Sequence, residues 1–502
     1  MKFELLPHEF WYGGCITWGI KMPLSKTSRE TFSLIPNLTP NQGMPLLLSS
    51  CGRILWLDGV SQVSFWDGTV ECGEGAQLIE AGSTLRDAYI TAMERWFPFS
   101  GKAPASRLFE APIFNTWIEL TFHQSQKAIL DYAHRIVDNG FAPGVLMIDD
   151  GWSESYGDWR FHSGRFPDAE GMLRELHELG FQVMLWVCPY VTPDTMAYRD
   201  AKNAHALLEK KNGATRLAEW WNGFSAMVDL SREEGCCWLD KQLQSLLEIG
   251  VDGFKFDGGD PVYYVESDAE NDGATANELC RLWSEFGKKY PYNEYRASWK
   301  AAGLPLMQRL CDKQHSWGDH GLAALVPDAL AQGIMGYPFC CADMVGGGEY
   351  LNFWENADRL DGELFVRHSA VSCLMPAIQF SAAPWRVLSE EDNRRIHCQL
   401  ALRKAYWEDI WQAMEHCRKT GEPVVRYMEY EFPHQGLETV QDQFMVGSCL
   451  LVAPLLEKDK WTRKVYVPKG RWQYGDSLLD SQGEWKEFSE KESCLIVLKK
   501  AD

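Results

Sequence analysis

Gly253-Phe254-Lys255-Phe256-Asp257-Gly258-Gly259-Asp260 is the stretch around which the rest of the chain is organised. Its alternating apolar residues, followed by acids and glycines, predict a short buried strand that runs into a tight polar turn. Side chains two positions apart on a strand share a face, so Lys255 should lie beside Asp257 and keep its carboxylate ionised. Such a carboxylate suits a nucleophile, and the glycines allow a ligand to approach the backbone. For an isolated Lys-x-Asp sequence, a structural ion pair is the alternative.

The composition indicates a soluble enzyme with more than one domain and a neutral substrate. The chain has 502 residues, of which 45% are hydrophobic, and this is enough for a large core. A net charge of −21 argues against nucleic acid or an anionic membrane as a partner. The 22 tryptophans suit stacking on sugar rings, although a large aromatic core explains them equally well.

Targeting and metal-binding patterns are missing from the sequence, and we therefore expect a cytoplasmic protein without cofactor or metal. No apolar run reaches the roughly 18 residues of a transmembrane helix, and the first residues lack a signal-peptide pattern. The 15 cysteines are scattered without a Cys-x-x-Cys pair, as expected for reduced thiols. The acids have no neighbouring histidines at ligand spacing.

Alternating strand-like and helix-like segments between residues 108 and 424 predict an α/β fold, a (β/α)8 TIM barrel. Among these segments, Gln182 to Val187 and Phe224 to Val228 are predicted strands, while Gln124 to Asn139 and a long stretch near Arg394 to Arg418 are predicted helices. Residues 1–107 and 425–502 contain short β-like runs separated by turn sequences, which predict an N-terminal β-sandwich and a small C-terminal β-sandwich. One acid after a strand is often a helix N-cap, but several on one barrel rim favour an active site. The acids placed after predicted strands are Asp149, Asp150, Asp229, Asp257 and Asp343.

Asp319 is a second candidate catalytic carboxyl group, in a loop that follows the apparent strand holding Arg309. The neighbouring Trp317 would bury this carboxyl and raise its pKa, as a general acid requires. Capping of the following helix is the alternative role. A nucleophile and a general acid about 5–5.5 Å apart are the requirement for retaining glycoside hydrolysis.

Motifs in a consistent order make the chain resemble glycoside hydrolase family 31 over nearly its whole length. The motifs are Glu9-Phe10-Trp11-Tyr12-Gly13-Gly14, Ile148-Asp149-Asp150, Lys255-Phe256-Asp257, Trp317-Gly318-Asp319, Tyr337-Pro338-Phe339 with Asp343-Met344-Val345-Gly346-Gly347, and Gln443-Phe444-Met445 with Val452-Ala453-Pro454. The resemblance implies a double-displacement exo-α-glycosidase in which Asp257 is the nucleophile and Asp319 the general acid/base. A small oligosaccharide or another α-glycoside is the implied substrate.

The resemblance also implies a set of sugar-binding residues at the barrel rim. They are Asp149 or Asp150, Lys255, Arg309, Trp317 and Asp343. Trp117 and Trp186, which we place on the first and third barrel strands, are candidate pocket walls, with a role in the barrel core as the alternative. Arg296 competes with Arg309 for the role of the family arginine.

The segment Pro376-Ala377-Ile378-Gln379-Phe380-Ser381 departs from the pattern of the family's α-glucosidases. Those enzymes carry Pro-x-x-Arg-x-His at this place, and both charged groups are replaced here. The segment is more similar to the branch that contains the myogenesis-regulating glycosidase and bacterial α-galactosidases, so we predict an α-galactosidase. The alternatives are an α-glucosidase, an enzyme for a modified hexose and a sugar-binding protein without activity.

Two loops, Asp260 to Ala274 and Ser153 to Pro167, are expected to shape the pocket and to select the aglycone. The predicted N-terminal sandwich is short and could leave this pocket partly uncovered. A neighbouring subunit could then complete it, which makes a homo-oligomer one expectation.

Overall fold

The computed structural model describes residues 1–265, 274–355 and 360–501. Residues 266–273 of the predicted pocket loop thus lie outside the described residues. The chain divides into two compact units: unit I comprises residues 35–43 and 104–301, and unit II comprises residues 1–34, 44–103 and 302–502. No helix in the described ranges is long and apolar enough to cross a membrane.

Eight parallel strands form a closed barrel in chain order, which confirms the predicted (β/α)8 fold. We number them β1 to β8: Ile113–Asn115, Val145–Ile148, Gln182–Val187, Gly253–Phe256, Tyr292–Tyr295, Gln308–Arg309, Cys340–Val345 and Ala377–Phe380. Unit I holds β1 to β5 and unit II holds β6 to β8. The strands are buried along almost their whole length, as expected when helices cover a parallel sheet.

Several helices of both units begin at local capping signals. Ser125 caps the helix Gln126–Asp138 and Asp168 caps the helix Ala169–Glu178, in each case by accepting from a backbone N–H in the first turn. The other helices of unit I are Arg107–Glu110, Trp117–Leu120, Met196–Asn203, Glu233–Glu248 and Ala276–Gly287. Those of unit II are Leu85–Trp96, Leu322–Ile334, Tyr350–Glu355, Gly362–Ser372, Pro384–Val387, Glu390–Ala405, Trp407–Thr420 and Met428–Glu431.

The strand predicted at Phe224 to Val228 is not a barrel strand. Residues Gly223–Met227 form a three-stranded antiparallel sheet with Tyr190–Val191 and Leu217–Trp220. Asp229 therefore does not follow a barrel strand, and its carboxylate accepts from the backbone N–H of Ser231 at 3.0 Å. Apolar content alone does not distinguish a parallel barrel strand from a strand of an antiparallel insertion.

Two further predictions of secondary structure are corrected. Trp117 lies at the start of the short helix Trp117–Leu120 instead of on β1, because the Asn115 side chain accepts from the Trp117 N–H at 2.7 Å and ends the strand. The single long helix predicted from Arg394 to Arg418 is two helices, which are separated at Tyr406.

Antiparallel sheets flank the barrel in sequence at both ends. The N-terminal part contains two four-stranded sheets. The strand order of the first is Lys2–Glu4, Thr69–Cys72, Gln62–Trp66, Arg29–Ser33. The strand order of the second is Trp11–Cys15, Gly43–Ser49, Arg53–Trp56, Gln77–Glu80. The C-terminal six-stranded sheet has the order Val425–Arg426, Phe444–Val446, Leu450–Pro454, Leu495–Lys500, Gly470–Tyr474, Ser477–Ser481. A two-stranded sheet pairs Thr462–Val467 with Glu484–Ser489. The domain boundaries after residues 107 and 424 stay a prediction.

Candidate active site

Asp257 directly follows β4, and donors bind both of its carboxylate oxygens. Oδ2 accepts from the indole N–H of Trp186 at 3.0 Å and lies 3.8 Å from Lys255 Nζ. Oδ1 accepts from Arg296 Nε and from the backbone N–H of Gly258, each at 2.9 Å. The residue is buried. These donors favour the ionised carboxylate and fix its orientation, as a nucleophile requires.

Lys255 interacts with two buried carboxylates, those of Asp149 and Asp257. Its ammonium group donates to Asp149 Oδ2 at 2.7 Å, closer than it lies to Asp257. Asp149 in turn accepts the backbone N–H of Asp150 at 2.9 Å. The lysine therefore compensates charges at the ends of both β2 and β4, where an unpaired buried charge would be strongly destabilising.

Arg296, which follows β5, connects Asp257 to a further acid, Asp260. Its Nη1 and Nη2 bind the two oxygens of Asp260 at 2.7 and 2.8 Å, while Nε binds Asp257. The bidentate pair fixes the plane of the guanidinium group. The structure thus brings Arg296, the rival in the sequence analysis, to Asp257. Sequence reasoning did not assign Asp260 a role.

Asp150 has a different environment from its neighbour Asp149. Its Oδ2 accepts from the Tyr156 hydroxyl at 2.9 Å and from Asn222 Nδ2 at 3.1 Å, and these two donors are themselves 2.7 Å apart. Burial raises the pKa of Asp150 to about 6, and the two hydrogen bonds oppose that rise. Asp149 is therefore the acid paired with lysine, and Asp150 is the acid held by neutral donors.

Trp221 presents an exposed indole next to Arg296, the arginine that binds Asp257. It lies with Asn222 on the turn between Leu217–Trp220 and Gly223–Met227, with 47% of its surface exposed. Its ring centroid is 5.5 Å from the guanidinium carbon of Arg296 and 5.6 Å from the ring centroid of Tyr263. Aromatic faces of this kind suit stacking on a sugar ring.

The two tryptophans predicted as pocket walls, Trp117 and Trp186, differ in burial and in their contacts. Trp186 is buried, and its indole N–H donates to Asp257, so it positions that carboxylate. Trp117 is half-buried, with its ring 5.4 Å from that of Phe122. The sequence analysis missed Trp221 and Asn222, although the turn sequence Asn222-Gly223 beside two tryptophans was a usable signal. Tyr156 lies in the loop Ser153 to Pro167, which was expected to shape the pocket, and its hydroxyl binds Asp150.

Gly258 and Gly259 have φ values of +66° and +72°, in the region that favours glycine. A Cβ on Gly258 would lie 2.8 Å from the Tyr190 ring, and one on Gly259 would lie 2.6 Å from the Trp283 ring. Only glycine therefore allows the backbone to turn directly after Asp257, so the turn fixes the position of this residue.

Arg309 and Asp343 form a buried ion pair in unit II. Arg309 Nη1 lies 2.6 Å from Asp343 Oδ1 and 2.7 Å from Asp312 Oδ1. Asp343 Oδ2 accepts the backbone N–H groups of Lys313 and Gly348 at 2.7 and 3.0 Å. Burial raises the pKa of Asp343, and the Arg309 guanidinium opposes the rise. The pair connects the segments that follow β6 and β7.

Asp319 lies exposed on a turn in which the Gly321 N–H donates to the Gly318 carbonyl at 2.9 Å. Trp317 does not bury it, because the indole N–H donates to Asp361 at 2.9 Å. Gly321 is the N-cap of the next helix, and no side chain caps it. Asp319 is thus not a helix cap, which removes the structural alternative considered from the sequence.

The remaining candidates lie at the end of the barrel sequence. Gln379 lies on β8 and Ser381 directly follows it, and both are fully buried. Within the described ranges, no three His, Cys, Asp or Glu side chains form a group that could hold a metal ion.

Comparisons with known proteins agree with this architecture. A family model described as "Glycosyl hydrolases family 31 TIM-barrel domain" matches residues 112–405, and one described as "Glycosyl hydrolase family 31 C-terminal domain" matches residues 421–496. The myogenesis-regulating glycosidase of Mus musculus is 33% identical over 415 residues, which cover 80% of this chain and 57% of that protein. Alpha-xylosidase XylQ of Lactiplantibacillus pentosus is 25% identical over 481 residues, 88% of this chain and 61% of XylQ. The chain spans less than two thirds of the length of these relatives.

Two solved structures show the same fold. A family 31 sulfoquinovosidase from E. rectale has a TM-score of 0.84 at 17% identity, and the match covers 100% of this chain and 82% of that one. A Flavobacterium johnsoniae family 31 dextranase, complexed with glucose, has a TM-score of 0.82 at 18% identity, covering 100% and 66%.

Proposed function

We propose, since the chain belongs to glycosyl hydrolase family 31, that it is a retaining α-glycosidase. The observation that carries this proposal is the fixed position of Asp257. Its carboxylate is buried and bound by Trp186 and Arg296, and two glycines form the backbone turn that follows it. This is the environment of an ionised nucleophile of fixed orientation.

The reaction follows in two displacements. Asp257 attacks the anomeric carbon while the bond to the leaving oxygen breaks, and Asp319 gives its proton to that oxygen. Asp319 then takes a proton from a water molecule, which attacks the anomeric carbon and releases Asp257. The product has the same anomeric configuration as the substrate because each displacement inverts it.

The cations around Asp257 tolerate the loss of its charge in the covalent intermediate. When Asp257 becomes an ester, Lys255 remains paired with Asp149 and Arg296 remains paired with Asp260. Neither cation is then left alone in a buried position, which would otherwise raise the energy of the intermediate.

For the sugar we propose galactose, on the ground that Gln379 and Ser381 stand where the family's α-glucosidases carry charged groups. The relatives compared above include proteins named as a xylosidase, a sulfoquinovosidase and a dextranase. A xyloside, a glucoside and a sulfoquinovoside therefore belong in the same test as a galactoside.

Nitrophenol release from these four aryl α-glycosides tests the choice of sugar. Proton NMR of the first sugar anomer released tests the retaining mechanism. We expect turnover of the galactoside and the α-anomer as the first product. Turnover of one of the other three glycosides, with the α-anomer as first product, would support the retaining mechanism and show that galactose is not the preferred sugar. A β-anomeric first product would overturn the retaining mechanism, and a panel without turnover would favour a sugar-binding protein.

We expect Tyr156→Phe to move the acid limb of the kcat/KM profile to higher pH. The Tyr156 hydroxyl donates to the Asp150 carboxylate and lowers its pKa, so its removal raises that pKa above about 6. Asp150 then stays protonated, and unable to accept from a sugar hydroxyl, up to a higher pH. The profile is measured with the best aryl glycoside, with Tyr198→Phe as the matched control. An acid limb that does not move would show that Asp150 is not the group that limits activity at low pH.

A further inference from the structure

A cleft of about 710 Å³ lies in the C-terminal part of unit II, among residues that the proposed reaction does not use. Its volume is within the range of about 300–1,000 Å³ that is typical of small-molecule sites. Two carboxylates, three cations and one indole line it: Asp442, Glu457, Lys460, Arg463, Lys464 and Trp485. The cleft therefore combines an aromatic surface with donors and acceptors.

Trp485 is a fixed and accessible aromatic platform in this cleft. It lies on the strand Glu484–Ser489 opposite Tyr466, with the ring centroids 5.6 Å apart and the rings at 72°. This edge contact holds the indole while 49% of its surface stays exposed. Lys464 lies two residues before Tyr466 on the paired strand and therefore extends from the same face. A rigid exposed indole binds a flat apolar surface at a low conformational-entropy cost.

Two of the three cations in the cleft are already paired with its two carboxylates, which favours a neutral ligand. Arg463 donates to the carbonyl oxygens of Asp442 and Pro454 at 2.7 Å, and its guanidinium lies 2.7 Å from the Asp442 carboxylate. Lys460 pairs with Glu457. An anionic ligand would meet both of these carboxylates, and the chain carries a net charge of −21. Sugar hydroxyl groups, which both donate and accept, suit such a surface.

We propose that this cleft is a second carbohydrate-binding site, which takes a segment of a neutral oligosaccharide or polysaccharide. One pyranose ring stacks on Trp485, and its hydroxyl groups bind to polar side chains that include Lys464. The site performs no chemistry. It retains long substrates on the protein, whereas an aryl monoglycoside reaches the catalytic residues without it.

Affinity electrophoresis in gels that contain dextran, soluble starch, galactomannan or xyloglucan tests this site. All proteins carry Asp257→Asn, so that the polysaccharide is not cleaved and binding by the catalytic residues is the same throughout. We expect retardation in at least one gel, and a dissociation constant raised about tenfold by Trp485→Ala. Lys464→Ala should raise it by a smaller factor. Trp66→Ala is the matched control, because Trp66 is also an exposed tryptophan at the end of a strand.

The inference is overturned if none of the four polysaccharides retards the protein, or if Trp485→Ala and Lys464→Ala migrate like the control. Its failure is distinguishable from failure of the proposed function, because Trp485→Ala in the otherwise unchanged protein should keep its aryl-glycoside turnover. If Trp485→Ala lowers the melting temperature, Lys464→Ala alone decides the result. Loss of binding with full aryl-glycoside turnover is the result that supports a separate site.

Discussion

Asp257→Asn should lower kcat/KM for an aryl α-glycoside by about 10³-fold or more, since the amide does not form the glycosyl ester. The fold should survive, because Lys255 keeps its 2.7 Å contact with Asp149 and Arg296 keeps both contacts with Asp260. Melting temperature and kcat/KM are measured together. The control is Asp131→Asn, which removes an exposed helix carboxylate from the same unit.

Azide, as an external nucleophile, provides a second test of the role of Asp257. In Asp257→Ala, azide can enter the space of the missing carboxylate and attack the anomeric carbon directly, so that one inversion yields a β-glycosyl azide. Product analysis by NMR identifies the anomer. Turnover that equals that of the unchanged protein in both Asp257 variants would exclude the nucleophile assignment. It would direct the search to another carboxylate of unit I, and Asp260 is the nearest candidate in sequence.

Asp319→Ala should lower kcat/KM by about 10²–10⁴-fold for an alkyl or disaccharide leaving group, which needs a proton from a general acid. The loss should be much smaller for dinitrophenyl glycosides, because dinitrophenolate leaves without protonation. With such a substrate the glycosyl-enzyme accumulates, and a burst of dinitrophenolate precedes slow turnover. Azide then attacks the intermediate, and two inversions yield an α-glycosyl azide, the opposite anomer to that from Asp257→Ala.

His320→Ala is the neighbouring control for this experiment, since His320 is exposed on the same turn. It should retain normal turnover with every leaving group. If Asp319→Ala loses the same factor with all leaving groups, Asp319 does not act as the acid. Because the Asp319 carboxyl is exposed in the structure, the comparison between leaving groups is more informative than a loss of activity alone.

The barrel could be predicted where its elements have strong local patterns. The apolar run Gln182–Val187 was predicted with the bounds that the structure has, and the helix Gln126–Asp138 was placed within two residues. The strand Tyr292–Tyr295 was missed because its inner residues, Asn293 and Glu294, are polar and nevertheless fully buried. Only tertiary packing places such residues in a barrel strand, so the apolar pattern gave no signal.

The candidate site was predictable only as far as its contacts are local. Lys255 and Asp257 are two residues apart on one strand, so their shared face follows from strand geometry. Arg296 could not be placed, because it follows the strand that the pattern did not reveal. Asn222 reaches Asp150 across 72 positions in the chain, and no sequence periodicity encodes a contact of that range.

The insertion between β3 and the helix Glu233–Glu248 has a consequence for how this protein can diversify. Its three-stranded sheet pairs only within itself among the strands that the structure describes, while one turn carries Trp221 and Asn222. Exchange of this insertion would therefore break no hydrogen-bond ladder of the barrel strands, while it would replace the side chains next to Arg296 and Asp150. We therefore expect a graft of this hairpin from a homologue to change the sugar preference while the barrel strands keep their pairing.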